Sequence, residues 1–265
     1  MRIPVIRGVI DRRILVNYRV DADALAGILP APFRPKLVNG VGMAGVCLIR
    51  LKHVRPRWLP AGLGISSENA AHRVAVEWDE AGECREGVFI PRRDTSSRLN
   101  ALVGGRLFPG EHHHATFLVN ERDGHYRIAL DSDDRRTHLR VEGHTAAELP
   151  AGSVFGSVAE ASAFFERGSV GYSATARGDA FDGLELRCTG WHVEPLAVER
   201  VESSFFDDPT RFRTGSVHPD CALLMRAIEH EWHGRASLRS TSRAGPRGVP
   251  GAAATATGPG VNGPA

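Results

Sequence analysis

The pattern of the chain predicts a mainly β architecture, an antiparallel barrel or curved sheet with a few peripheral helices. Three observations carry this. Apolar runs of strand length recur behind short turns, Asp123-Gly124 between two strand-like segments is a strong hairpin signal, and no regular strand-helix alternation of the kind a parallel sheet requires is present. The composition provides a core for such a fold: of 265 residues, 42% are hydrophobic and 24% charged, close to the averages for globular chains.

In chain order, Asp21 to Pro30 reads as a short helix with an acidic first turn and a proline stop, packing through Leu25, Ile28 and Leu29. Val41 to Leu51 is a buried strand, bounded by Asn39-Gly40 and Pro56. Trp58 to Gly64, broken by proline and glycine, is a rim, a lid or a dimer contact. Ala70 to Trp78 and Arg85 to Ile90 form a hairpin across Asp79 to Gly82. Asp94 is placed to cap a helix that ends at Val103, with Leu99, Leu102 and Val103 as its apolar stripe and Gly104 and Gly105 as its stop.

Ala115 to Glu121 and Tyr126 to Asp131 flank Asp123-Gly124, and Thr137 to Gly143 continues the meander. Ser157 to Glu160 is a capping box that opens a helix through Phe164 and Phe165. Leu184 to Val193 is a strand with Trp191 as a core anchor, Val198 to Phe206 is a further short element, and Ala222 to His233 reads as a terminal helix. These elements give one domain, residues 1-235. From 236 to 265 Gly, Pro, Ala, Ser and Thr dominate without apolar periodicity, which predicts a disordered tail.

With 33 basic against 31 acidic residues the net charge is only +2, so neither nucleic acid nor an anionic membrane is an expected partner. Nearly all the basic residues are arginine, Lys36 and Lys52 being the exceptions. Such a bias favours binding of carboxylates over amine nucleophiles. The four cysteines form no Cys-x-x-Cys pair and read as reduced structural thiols. No run approaches the roughly 20 apolar residues of a spanning helix, and Arg7 and Asp11 interrupt the first apolar stretch, so a cytoplasmic location is expected.

Residues 87 to 117 hold the densest chemistry: a strand ending at Pro91, a helix, a glycine stop, then Phe108-Pro109-Gly110-Glu111 and three successive histidines. This order, together with the Ala-Leu-Leu-Met-Arg run at 222 to 226, resembles the acetoacetate decarboxylase-like superfamily and within it the YqjF-like branch of unknown function. The resemblance implies a cone-like β-barrel whose interior holds the ligand, and homo-oligomers are common in the superfamily. In the decarboxylase the corresponding turn reads Phe-Pro-Lys-Lys, and its first lysine forms a Schiff base with the keto acid. Gly110 has no side chain and Glu111 carries the opposite charge, so Schiff-base decarboxylation is not expected here.

His112 and His114 share strand parity, and parity with the family lysine turns them inward; the apolar companions of His113 argue for the opposite face. Two inward histidines would serve as acid and base, or would present two imidazoles to an ion whose third ligand, Glu68, Glu111 or Asp94, the sequence does not place nearby. No metal or cofactor is assigned. Glutamates in the region of Glu68 help form the decarboxylase pocket, which makes Glu68 a candidate general base and Arg73 a candidate carboxylate clamp. Arg92 and Glu111 complete the set as ligand contacts, against the plain alternative of ion pairs and turn structure. The expectation is a barrel acting on a small oxygenated or carboxylate-bearing compound by lyase, hydratase or isomerase chemistry. The alternative is a barrel that binds or senses such a ligand without turnover.

Overall fold

A computed structural model describes residues 4–104 and 108–240. Among the described residues thirteen strands form one sheet: β1 (Ile6–Val20), β2 (Arg34–Pro35), β3 (Leu37–Val38), β4 (Val41–Pro56), β5 (Ile65–Glu80), β6 (Glu83–Thr95), β7 (His112–Arg122), β8 (His125–Ser132), β9 (His138–Thr145), β10 (Val170–Ala174), β11 (Ala180–Thr189), β12 (Glu194–Ser203) and β13 (Val217–Arg239). In the described residues three helices accompany it: α1 (Ala22–Ile28), α2 (Arg98–Val103) and α3 (Val158–Arg167). A 3-10 turn, Ala61–Leu63, lies between β4 and β5.

The pairing closes on itself twice. One ring runs β6-β7-β8-β9-β12-β13-β1-β4-β5 and back to β6, while the other runs β10-β6-β5-β4-β1-β13-β11 and back to β10. Strands β13, β1, β4, β5 and β6 belong to both, so they form a wall with a filled space on each face. Along β1 the alternation sorts the two sides. Ile14, Val16, Tyr18 and Val20 enter a core with Ile128, Leu130, Leu139 and Val141. Ile10 and Leu15 enter another with Met43, Ile49, Leu51 and the α3 residues Phe164 and Phe165.

Burial on both faces corrects the reading of Ala222 to His233. A strand in the wall shows no polar-apolar alternation, and the apolar run Ala222 to Met225 divides its side chains between the two cores. Residues 217 to 239 are thus one long strand paired with β1, β11 and β12, and His230 and His233 lie on a strand rather than on a helix. The strand also passes the expected domain boundary at 235; residues 241-265 of the expected tail lie outside the described residues.

Local chemistry sets the turns as expected. Ala81-Gly82 and Asp123-Gly124 both take positive φ at their two positions, closing tight hairpins between β5 and β6 and between β7 and β8. Ser157 caps α3 by accepting from the Glu160 N–H at 3.1 Å, and Glu160 accepts from the Gly156 N–H. The cap of α2 is Ser97, not Asp94: Ser97 Oγ accepts from the Asn100 N–H at 3.2 Å, while Asp94 stays in β6, wholly buried and paired with Arg92. Among the described residues no helix is long and apolar enough to cross a membrane.

Candidate functional site

A cavity of about 450 Å³ lies on the second face of the wall. Its floor is built from β1, β4, β5 and β6, which contribute Arg13, Cys47, Ile49, Leu51, Asn69, Arg73, Val88, Ile90 and Arg93. Leu184, Leu186 and Trp232 come from β11 and β13, and the third side comes from Leu99, Asn100 and Val103 of α2 with Phe108, Pro109 and His112. The apolar stripe of α2 therefore faces this space and solvent: none of the helix is fully buried, and Leu102 stands exposed.

Four arginines line the cavity. Arg55, near Pro56, donates to the carbonyl oxygens of Leu59 and His53, and the other three are Arg13, Arg73 and Arg93. Arg13 donates to Cys47 Sγ at 3.2 Å and lies over the Trp191 ring. Arg73 donates to Asn17 Oδ1 and stacks over Phe165 at 4.9 Å, while its Nε is buried without a partner. Arg93 reaches only the hydroxyl of Ser173, at 3.4 Å. Among the described residues none of the three has a carboxylate within 4.0 Å. Burial pulls Arg73 and Arg93 each down to about 10, which is the cost of holding a cation away from water without a counter-charge.

His112 stands beside Arg93 across the parallel β6–β7 pairing. Its Nδ1 lies 3.0 Å from the Gly110 carbonyl oxygen. A carbonyl can only accept, so Nδ1 carries the proton and Nε2 keeps its lone pair. Burial, then the charge of Arg93, pushes this imidazole down to about 3, so it is neutral at pH 7. Gly104 makes room for it, since a Cβ there would sit 2.4 Å from His112 Nδ1.

The sequence-based grouping separates in the structure. Arg73 and His112 reach the cavity. Glu68 projects from the other face of β5, bound by Arg12 and Arg50, both at 2.5 Å. Arg92 is on that side as well, bridging Asp94 at 2.7 Å and Asp134 at 2.8 Å. His114 shares the parity of His112 but binds Asp133 at 2.8 Å near the surface, and Glu111 is exposed. His112 and His114 do not converge on an ion. Among the described residues one group of three has ligand atoms within 4.8 Å of one another, His125, His144 and Glu199, and two of these are exposed.

Arg93 replaces Arg92 because of a bulge. The pairing steps from His72↔Arg92 to Val74↔Phe89, so β6 carries one extra residue around Pro91. Strict alternation from Val88 and Ile90 would send Arg92 inward, and the bulge delivers Arg93 instead. Arg13 was the other residue not anticipated. It shares parity with Leu15, but β1 also shifts register between Ile10 and Arg12.

Gly110, where the sequence resemblance puts the decarboxylase lysine, is closed to a long side chain. Gly110 has φ +76°, and a Cβ there would lie 2.7 Å from Ser173 Cβ. Lys36 is held by Glu86 and lies over the Phe164 ring, while Lys52 pairs with Asp11 at 2.7 Å; neither lines the cavity.

Residues 10–208, more than half of the chain, match the family of uncharacterized conserved proteins DUF2071. The chain belongs to that family. No curated protein matches it in sequence. Among solved structures it is similar to acetoacetate decarboxylase from Legionella pneumophila subsp. pneumophila str. Philadelphia 1, with a TM-score of 0.55, 13% identity, and 88% of this chain and 87% of that chain covered. It is similar to the enduracididine biosynthesis enzyme MppR, complexed with the condensation product of pyruvate and imidazole 4-carboxaldehyde, at TM-score 0.57 and 13% identity over 91% and 92% of the two chains. An acetoacetate decarboxylase-like enzyme from Sphingomonas wittichii RW1 gives 0.55 and 12% over 90% and 94%. At these identities the likeness is one of fold. This DUF2071 member thus has the acetoacetate decarboxylase-like fold that its Phe108-Pro109 segment suggested.

Proposed function

We propose that this DUF2071 protein is a small-molecule enzyme of lyase, hydratase or isomerase type. It holds a carboxylate-bearing compound on Arg13, Arg73 and Arg93 and moves a proton through His112. The observation that carries the reading is the meeting of Arg13, Arg73 and Arg93 in one cavity, none of them with an acidic partner among the described residues. A bound carboxylate would offset the cost of their burial, and planar guanidinium forks suit it. His112 adjoins them as a neutral imidazole whose Nε2 lone pair can accept a proton, a weak base at about 3 in the empty cavity. An anion placed against Arg93 would also screen the charge that helps depress His112, making it a stronger base when substrate is present. MppR, a neighbour in fold, has been captured with pyruvate, an acid of this class.

The route uses no imine. Both lysines are ion-paired away from the cavity and residue 110 has no side chain, which supports proton transfer over Schiff-base chemistry. A non-catalytic binding barrel is the second reading. It is favoured by the absence of Glu68 from the cavity: Asp94 borders the space, but its carboxylate is taken by Arg92, so His112 has no acidic partner there.

A thermal-shift and turnover screen of small 2-oxo, 2-hydroxy and unsaturated acids tests both. The expected outcome is stabilisation of the wild type by at least one acid, its loss in Arg93→Met, and turnover that His112→Ala removes while binding persists. Stabilisation without turnover of any bound acid selects the binding barrel. An unaltered response in Arg93→Met would overturn the arginine site.

A further inference from the structure

We infer that the acid bound here carries an apolar tail, with its carboxylate at the arginines and its chain running along β4 toward the mouth. The inference rests on the carboxylate reading and extends it to the substrate's other end.

Register along the wall shows that the cavity is two-ended. Gly45 of β4 lies opposite Arg73, Cys47 opposite Ala71, which itself neighbours Arg93, and Ile49 opposite both Arg13 and Asn69. Further along, the lining becomes Leu51, Val54, Ile65, Pro56 and Ile6, with Trp232 paired to Ile6. Arg13, Arg73 and Arg93 are thus gathered at one end, and at the other Arg55 donates to the carbonyl oxygens of Leu59 and His53. From Cys47 to Val54 the strand runs roughly 20 Å at about 3.3 Å per residue. The end with the three arginines is the deep one, where Arg73 is buried, whereas Leu99 at the other side of the cavity is half exposed.

The volume points the same way. An acid of about six heavy atoms, at roughly 30 Å³ each by the share of a water molecule in the liquid, fills about 200 Å³. More than half of the 450 Å³ would remain, and that remainder is walled mainly by aliphatic and aromatic side chains, with Arg55 beside them. Water gains few hydrogen bonds in such a space, whereas a hydrocarbon chain is drawn in by the area it removes from water. Exposed Leu63 and Trp58, on the chain between Pro56 and Ile65, extend this apolar lining in sequence toward solvent.

The test is calorimetric titration of the full chain with straight-chain carboxylates from butanoate to decanoate, and with alkanols of equal length. Affinity is expected to rise about three- to fourfold for each added methylene until the apolar end is filled, with acids tighter than alkanols throughout. Ile65→Trp, which fills the apolar end, is expected to flatten the series for the longer acids and leave butanoate unchanged; a thermal melt checks that the variant is folded. Short acids binding with no gain on lengthening would overturn the tail while leaving the carboxylate site in place. Alkanols binding as well as acids would overturn the carboxylate site itself, and binding of no acid at any length overturns both.

Discussion

Neighbouring arginines on the two faces of the wall live in opposite electrostatic worlds. Arg12 is bound to Glu68 and Glu121, and Arg50 joins the same carboxylates, so the face toward the larger ring is charge-balanced. One residue on, Arg13 finds only sulfur and an aromatic ring. Arg92 takes Asp94 and Asp134, and Arg93 takes a single hydroxyl. The difference separates structural charge from available charge. Paired arginines on one face close their own network, and unpaired ones on the other keep their donors for something that is not part of the chain.

Substitution at adjacent positions should break that comparison most clearly. Arg92→Met leaves Asp94 wholly buried with its main partner gone, and burial already pushes that carboxyl above its ordinary range despite Arg92. Removing one member of such a pair costs about 3 kcal/mol or more, so urea unfolding should show a large loss of stability. Binding of acids by the folded fraction should remain within a few-fold. A stability change under about 1 kcal/mol would show that solvent or a proton, rather than Arg92, satisfies Asp94.

Arg93→Met should give the reverse. No carboxylate is orphaned, and an uncompensated buried cation is replaced by an apolar side chain of similar length, so stability should hold or rise by about 1 kcal/mol. Acid affinity should fall about tenfold or more, the worth of one charge-assisted contact. Equal destabilisation in Arg92→Met and Arg93→Met would remove the distinction between the two faces.

What the sequence revealed follows the same division. Turns were legible because their chemistry is local: Asp123-Gly124 and the Ser157 cap need only a few adjacent residues. The strand Val217–Arg239 was hidden because burial on both faces erases the period of two, leaving an apolar run that fits a helix as well. Among the residues that line the cavity, Arg73 and His112 had been picked out through family position, whereas Arg93 depended on the bulge near Pro91, which alternation alone does not announce. Glu68 shows how sharply parity decides. Its neighbour Asn69 lines the cavity, while Glu68 itself completes a salt-bridge network on the far face.

The charge-balanced face still holds buried polar atoms without partners, and His72 offers a smaller test. His72 is fully buried, stacked on Phe205 at 4.6 Å, with both ring nitrogens unbonded, and Arg211 lies over the other ring of that stack at 3.9 Å. Burial first, then Arg92 and Arg211, push it from 6.5 down to about 3. The unfolded chain therefore takes up a proton below about 6.5 that the folded chain refuses until about 3, so stability is present above 6.5 and is lost as pH falls through that interval. His112 and His230, the latter held down to about 4 by burial, act in the same direction. His72→Phe keeps the stack and removes two unsatisfied nitrogens, which should stabilise the protein by about 1 to 2 kcal/mol at pH 7. Denaturant unfolding between pH 7 and 4 should also show a shallower decline than the wild type, with the residual slope due to the other two histidines. An unchanged slope would place polar partners around His72 in solution and remove it from the account of acid sensitivity.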